Sequence, residues 1–375
     1  MSKLVVIGGS KGLGLSLLQK LKQRFDETIL FDVCEPLDNE NLLFFKKCDL
    51  SKDFNVCLED IKTADWLIIT AGIGIVRPFE KTTLAEIKKL LKVNLESTIS
   101  LIKAFYANLL SGEEKRCFVM SSIAGEVSSP LFSVYSSSKA GLTKFCEAIN
   151  IELEMAGSAN RVTCGCATSF VGSSFNGGTT NLSLLDEVAD KCIDAIENRT
   201  TYFYINEELC LDVIKRYSND KHEFGISSYN YKIKNNRIDN ERKLITVGYL
   251  SGTFDLFHVG HLNLLRRAKE QCDYLIVAVH DSGAWKGKET FIPYEERRAI
   301  VESIKYVDQV VEDYAEDSDA WDVYHYDKLF VGSDYKGTER FNRYEQILKG
   351  KAEIVYFPYT KGTSSTQLRD ALKKK

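Results

Sequence analysis

Short runs of β-type residues alternate with longer helical-period segments through the first 215 or so positions. LVVIGG, ETILFDV, ADWLIITAG, KRCFVMSS and RVTCGCAT read as strands. Between them, LGLSLLQKLKQRF and TLAEIKKLLKVNLESTISLIKAFYANLL place apolar residues three and four apart, as amphipathic helices do. Such alternation implies a mostly parallel sheet covered on both faces, a doubly wound α/β fold. Over residues 218–243 the texture turns polar and Asn-rich, and this stretch is expected to be a linker with some local order. A second, smaller α/β series follows in KLITVGYLSG, DYLIVAVH, KLFVGSD and AEIVYFP. The expected layout is therefore a domain at 1–217, a linker at 218–243 and a domain at 244–375.

Composition narrows the class. At 375 residues and 44% hydrophobic, the chain can bury two cores. A net charge of −4 argues against a broad nucleic-acid surface. No run approaches the roughly 20 apolar residues of a membrane helix, and the first apolar run is too short for a secretory leader of about 7–15 residues. Nine of the ten cysteines lie within residues 34–210, mostly inside apolar runs and without a CxxC pair, so they read as buried thiols and not as metal ligands. A cytoplasmic enzyme without membrane or nucleic-acid partners, and without a protein-ligated metal, is expected.

Gly8, Gly12 and Gly14 follow the first strand and open the next helix, where bare backbone and free N–H groups suit a pyrophosphate. Asp32 ends the second strand, 18 residues past Gly14, where a carboxylate can accept ribose hydroxyls and repel a 2′-phosphate. Tyr135 and Lys139 lie at i and i+4, on one helix face, 13 residues after Ser122. With GGSKGLG, TAGIG, VNL around Asn94, SSIAG and YSSSK in order, residues 1–215 resemble the short-chain dehydrogenase/reductase family. The resemblance implies that Tyr135 protonates a carbonyl, Ser122 bonds the substrate oxygen, Asn94 holds a relay water, and Lys139 touches the nicotinamide ribose and draws the phenol pKa toward neutrality. It also implies a cofactor site of Gly8, Ser10, Lys11, Gly12, Leu13, Gly14, Asp32, Asp49, Leu50, Ala71 and Gly72, with Tyr135 and Lys139. Two departures stand out: Thr70 where the family usually has Asn, and Ala167–Thr168 where it has Pro-Gly. Lys11 suits NADP(H) and Asp32 suits NAD(H); direct repulsion of a 2′-phosphate favours NAD(H).

Two of the chain's five histidines, His258 and His261, stand at i and i+3 on the start of a helix, with Gly260 keeping the backbone bare. HExxH is absent, so the pair reads as an anion clamp. GTFDLFHVGH, YEERR, YVDQVV, VGSDYKG and GTSSTQLR occur in order, and residues 244–372 resemble the HxGH nucleotidylyltransferases, glycerol-3-phosphate cytidylyltransferases above all. That resemblance implies transfer of CMP from CTP to a phosphorylated alcohol, with Mg2+ screening the triphosphate. His258, His261, Lys286 and Lys288 would carry catalysis. Gly252, Thr253, Phe254, Asp334, Tyr335, Lys361, Ser364, Ser365 and Thr366 would complete the CTP site, and Asp255 and Arg297 would face substrate. Lys361 stands near where relatives carry an arginine.

Together the halves imply a bifunctional enzyme: NAD(P)H-dependent reduction of a ketose or its phosphate to the polyol, then cytidylyl transfer to a CDP-polyol of glycerol or pentitol type for surface polysaccharide. Two alternatives are a non-catalytic NAD-binding or dimerisation role for the first domain, and reduction of a CDP-linked ketone after transfer. Self-association as a homodimer or higher oligomer is expected of both folds.

Overall fold

In a computed structural model the described residues are 1–37, 45–169, 171–173, 175, 179–239, 244–281, 290–358 and 368. The chain divides into two compact units, Met1–Arg242 and Lys243–Lys375. Unit 1 runs β1 (Lys3–Ile7), α1 (Gly12–Leu21), β2 (Glu27–Asp32), β3 (Phe45–Lys47), α2 (Asn55–Lys62), β4 (Trp66–Ile69), α3 (Leu84–Leu91), α4 (Ser97–Leu110), β5 (Arg116–Met120), α5 (Ser133–Met155), β6 (Val162–Cys166), α6 (Asp186–Glu197), β7 (Tyr202–Tyr204), α7 (Glu207–Asn219) and α8 (Lys221–Lys234). Its strands lie in the order β3-β2-β1-β4-β5-β6-β7, every described pairing parallel.

Strand β1 shows why the apolar runs are continuous. Val5 and Ile7 enter one core with Leu101, Phe105 and Leu142 from α4 and α5. Leu4 and Val6 enter the other with Leu15, Leu18 and Ile193 from α1 and α6. Each strand residue therefore meets a helix on one side or the other, and a polar residue would face a core. The order reverses between β1 and β4, the switch point where such sheets open a crevice at their C-terminal edge.

The polar stretch expected as a linker is largely helical. Asp220 caps α8, its carboxylate accepting the His222 and Glu223 N–H groups at 2.9 Å each. Its composition is that of a solvated helix face, while Lys232 is only 8% exposed. Unit 1 consequently runs beyond the expected domain end at 217.

Unit 2 runs β8 (Val247–Gly252), α9 (Val259–Glu270), β9 (Tyr274–Val279), α10 (Tyr294–Glu302), β10 (Gln309–Glu312), α11 (Trp321–Tyr324), β11 (Lys328–Gly332), α12 (Glu339–Ile347) and β12 (Glu353–Phe357). Its sheet has the order β10-β9-β8-β11-β12, again parallel throughout. The α9 and α10 side is filled by Leu265, Ala268 and Val301; the other by Phe341, Tyr344 and the Tyr249–Tyr326 stack. Among the described residues, no helix is long and apolar enough to cross a membrane.

Candidate active sites

In unit 1 the β1–α1 turn is a cradle shaped by absent side chains. Gly8 has φ +90°, and a Cβ there would stand 2.4 Å from the Ala71 nitrogen. At Gly14 a Cβ would lie 2.3 Å from both the Gly8 carbonyl and Thr70 Oγ1. Thr70 Oγ1 donates to that same carbonyl at 2.8 Å, so the departure from Asn still ties β4 to the turn. Ser10 N–H reaches the Asp32 carboxylate at 2.9 Å, so Asp32 both orders the turn and stands at the β2 edge of the crevice. Asp49 binds Ser51 through its N–H at 2.9 Å, and Leu50 is buried, its carbonyl accepting from Ser97 at 2.8 Å. Lys11 and Leu13 flank Gly12 at the start of α1. This cradle fits a dinucleotide pyrophosphate.

The residues expected to carry reduction converge beside it. Between α3 and α4 lies a π-helical segment, Lys92–Glu96, a local widening of the kind helices use at functional positions. It carries the fully buried Asn94, whose Nδ2 donates to the Ile73 carbonyl at 2.8 Å and to Ser138 Oγ at 3.1 Å. A Cβ on Gly72 would be 3.5 Å from Asn94 Oδ1 and 3.6 Å from Lys139 Nζ, which puts all three at one point. Lys139 Nζ donates to the Met120 carbonyl at 2.8 Å and lies 5.8 Å from the Tyr135 ring centroid. Ser122 caps a short turn by accepting the Ala124 N–H at 3.2 Å.

The electrostatics differ from the expectation in sign. Burial pushes the Tyr135 phenol above its ordinary value, with the Ser122 hydroxyl pulling the other way. Burial pushes Lys139 down to about 8. Desolvation outweighs the Ser122 hydrogen bond, so the phenol is held protonated, the form a proton donor needs.

Four contacts here escaped the sequence reading. Thr180 Oγ1 accepts the Gly12 N–H at 3.0 Å. Asn206 Oδ1 accepts the Thr168 N–H at 3.1 Å, clamping the Ala167–Thr168 turn that stands for Pro-Gly. Phe132 stacks on Tyr135 at 4.1 Å, with Phe175 at 5.3 Å. Thr180, Asn206 and Phe175 come from other elements, and Phe132, the N-cap of α5, carries no motif of its own.

In unit 2, GTFDLF forms a tight loop after β8, with Phe254 and Leu256 at φ +52° and +49°, backbone conformations costly for side-chain-bearing residues. Gly252 permits it, because a Cβ there would meet the Phe254 ring at 3.0 Å. His258 is the N-cap of α9: its Nδ1 accepts the Gly260 N–H at 3.0 Å, which fixes the proton of the neutral ring on Nε2. Burial lowers its pKa, reinforcing that neutral form. His261 stacks beneath it at 4.0 Å, against Phe254 and Phe257. Asp334 and Tyr335 sit in a turn after β11, across the switch point between β8 and β11.

The two residues expected to face substrate also have a scaffold role. Asp255 is buried and accepts the Phe291 and Ile292 N–H groups at 3.1 and 3.0 Å. Arg297 is 0% exposed; its guanidinium donates to the carbonyls of Ile292, Thr253, His280 and Asp281 at 2.9, 2.5, 2.7 and 2.7 Å. One planar cation thereby staples the β8–α9 loop to both ends of the β9–α10 connection. His280, a third histidine at this edge, pairs with Asp313 at 2.6 Å; its place at the end of DYLIVAVH was the available signal. Lys286, Lys288, Lys361, Ser364, Ser365 and Thr366 lie outside the described residues. Among the described residues no three His, Cys, Asp or Glu groups gather to hold a metal.

A glycine cradle beside a buried Tyr–Lys pair, and a histidine-capped helix beside a strained GTFD loop, define an oxidoreductase-type and a nucleotidyltransferase-type fold in one chain. The short chain dehydrogenase model matches residues 2–176 and the cytidylyltransferase-like model residues 249–371. Glycerol-3-phosphate cytidylyltransferase of Staphylococcus aureus is 38% identical over 125 residues, 32% of this chain and 90% of that protein. The Bacillus subtilis protein of that name is 36% identical over 35% of this chain and 97% of its own length. For unit 1, ketoacyl reductase HetN of Nostoc is 29% identical over 46% of this chain and 67% of its own. The chain belongs to the cytidylyltransferase family through unit 2, joined to a unit that the short chain dehydrogenase model matches.

Proposed function

We propose that the chain reduces a ketose phosphate to a polyol phosphate in unit 1 and converts a polyol phosphate to its CDP derivative in unit 2, releasing pyrophosphate. The observation that carries the reading is the convergence of Lys139 and Asn94 on the bare backbone at Gly72, with Lys139 Nζ 5.8 Å from the Tyr135 ring centroid, since a binding or dimerisation module needs no buried proton relay. A nicotinamide cofactor bound in the Gly8–Gly14 cradle supplies hydride. Asp32 stands where a 2′-phosphate would be repelled, which supports NAD(H) over NADP(H). Tyr135, held protonated, gives its proton to the carbonyl oxygen as the alcohol forms, Ser122 orients that oxygen, and Lys139 and Asn94 position the phenol and its proton supply.

In unit 2 the phosphate oxygen of the polyol phosphate attacks the α-phosphorus of CTP as the bond to pyrophosphate breaks. His258 Nε2–H donates to phosphate oxygens, and His261 supports it by stacking. Likeness of unit 2 to glycerol-3-phosphate cytidylyltransferases supports CTP and a polyol phosphate. A fused reductase supports a polyol made on the spot from its ketose, a pentitol phosphate included, with surface polysaccharide as the destination. Purified protein supplied with CTP, Mg2+, NADH or NADPH, and a panel of ketose and polyol phosphates tests both halves. NADH oxidation with a ketose phosphate and pyrophosphate release with the matching polyol phosphate are expected. Tyr135→Phe should lower the first by about 10²-fold or more and leave the second unchanged. Pyrophosphate release with no polyol phosphate would overturn the transferase assignment, and an unaffected Tyr135→Phe the reductase assignment.

A further inference from the structure

The wall of the reductase site next to Tyr135 is held from the far end of unit 1. Ser129–Phe132 form a turn, closed by the Phe132 N–H on the Ser129 carbonyl at 3.0 Å. Pro130 is second in it and Leu131 third, at φ +64°, a left-handed conformation that a leucine holds only when its surroundings impose it. Those surroundings come largely from residues 228–239. Lys232 on α8 donates to Ser129 Oγ at 2.8 Å, the Pro130 carbonyl at 2.7 Å and Ser228 Oγ at 3.1 Å. The Leu131 carbonyl accepts the Arg77 N–H at 2.7 Å. Arg77 is in turn fastened by Asp239, whose N–H donates to the Val76 carbonyl at 2.9 Å and whose carbonyl accepts Arg77 Nε at 3.2 Å. A buried ion pair to Glu86 at 2.9 Å completes the anchor. What this anchorage presents is Phe132, stacked on Tyr135 and in contact range of Gly74.

We infer that residues 228–239, immediately before the unit boundary, are a positioning strap for the carbonyl-substrate wall of the reductase, with Lys232 as the clamp acting through Phe132. The inference rests on Tyr135 as proton donor and goes beyond it by assigning a role to a segment whose composition reads as a linker. Lys232 touches neither cofactor nor reacting atoms; it sets where the aromatic wall stands, and so governs substrate fit more than the proton step.

The test uses the full chain. In Lys232→Met, amide exchange at Phe132, whose N–H closes the turn, should quicken about tenfold or more, the weight of one hydrogen bond to a charged group, while β1, β4 and β5 amides keep their protection. With NADH and D-ribulose 5-phosphate as probe, KM for the ketose should rise about fivefold or more and kcat and KM for NADH stay within about twofold. Once Phe132→Ala has removed the wall, Lys232→Met should add nothing further to KM. Unchanged exchange at Phe132, unchanged ketose KM, or additive effects of the two substitutions would each overturn the strap. Should Lys232→Met unprotect the whole sheet, Ser129→Ala decides by the same readouts, since it removes one partner without stranding a charge. If wild-type protein does not turn over D-ribulose 5-phosphate, the substrate reading fails, and the exchange measurement still decides the strap.

Discussion

Replacing Arg297 by methionine separates two roles for that residue. The guanidinium is fully buried and serves four backbone carbonyls, on Ile292, Thr253, His280 and Asp281. Each orphaned acceptor costs about 1–3 kcal/mol if it stays dry. Some of that is returned, because the loops lie at a sheet edge where water can enter and because a buried cation no longer needs desolvating. Breaking a buried charged network typically nets about 3–5 kcal/mol, a large share of the roughly 5–15 kcal/mol that holds a domain folded. At about 1.4 kcal/mol per tenfold, amides of β8 and β9 that exchange by unfolding of unit 2 should do so about 140- to 4,000-fold faster. Hydrogen exchange on the full chain measures this directly, with β1 and β5 of unit 1 as internal reference. Arg297→Lys should fall between, since one ammonium cannot span four carbonyls in a planar fork. Exchange within about threefold of wild type, coupled with a raised KM for the phosphorylated alcohol, would refute the staple and make Arg297 a substrate contact.

Carbonyl reduction should hold level below pH 8 and decline above it: Lys139, pushed down to about 8, is charged below that pH and neutral above it, while Tyr135 stays protonated throughout. A profile flat to pH 10 would contradict this. His258→Asn keeps a good N-cap for α9 but removes Nε2–H; stability of unit 2 should change by less than about 1 kcal/mol, while pyrophosphate release falls about 10²-fold or more and NADH oxidation is untouched. Gly14→Ala drives a methyl against the Gly8 carbonyl and Thr70 Oγ1, so NADH binding measured by fluorescence should be lost or unit 1 destabilised, with pyrophosphate release preserved.

How far local pattern carries is visible in the strands. β1, β2, β4, β5, β6, β8, β9, β11 and β12 all coincide with runs legible as largely apolar stretches, because successive residues of the inner strands are buried on both faces, while the edge strand β12 is half-buried and still keeps an apolar run. β3, with sequence FKK, and β7, with YFY, are three-residue edge strands whose half-exposed residues give no period to read. β10 is short and edge-lying as well. The continuous helical period through residues 82–110 concealed the π segment at Lys92–Glu96, since one widened turn hardly disturbs a 3.6 repeat. The α8 segment misled in the other direction, its polar surface resembling a linker.

By itself the sequence determined the two α/β folds, the order of their motifs, and the chemistry offered by Tyr135, Lys139, His258 and His261, because these rest on residue type and spacing of a few positions. Only the tertiary structure decided what those groups experience. Burial, which no local window reports, sets Tyr135 up and Lys139 down, opposite to the pairwise attraction expected. Long-range closure made Arg297 a staple, turned Asp255 toward the 291–292 backbone, and brought Lys232 to a turn about a hundred residues away. Hydrogen bonds across such separations follow from packing, and packing is a property of the whole chain.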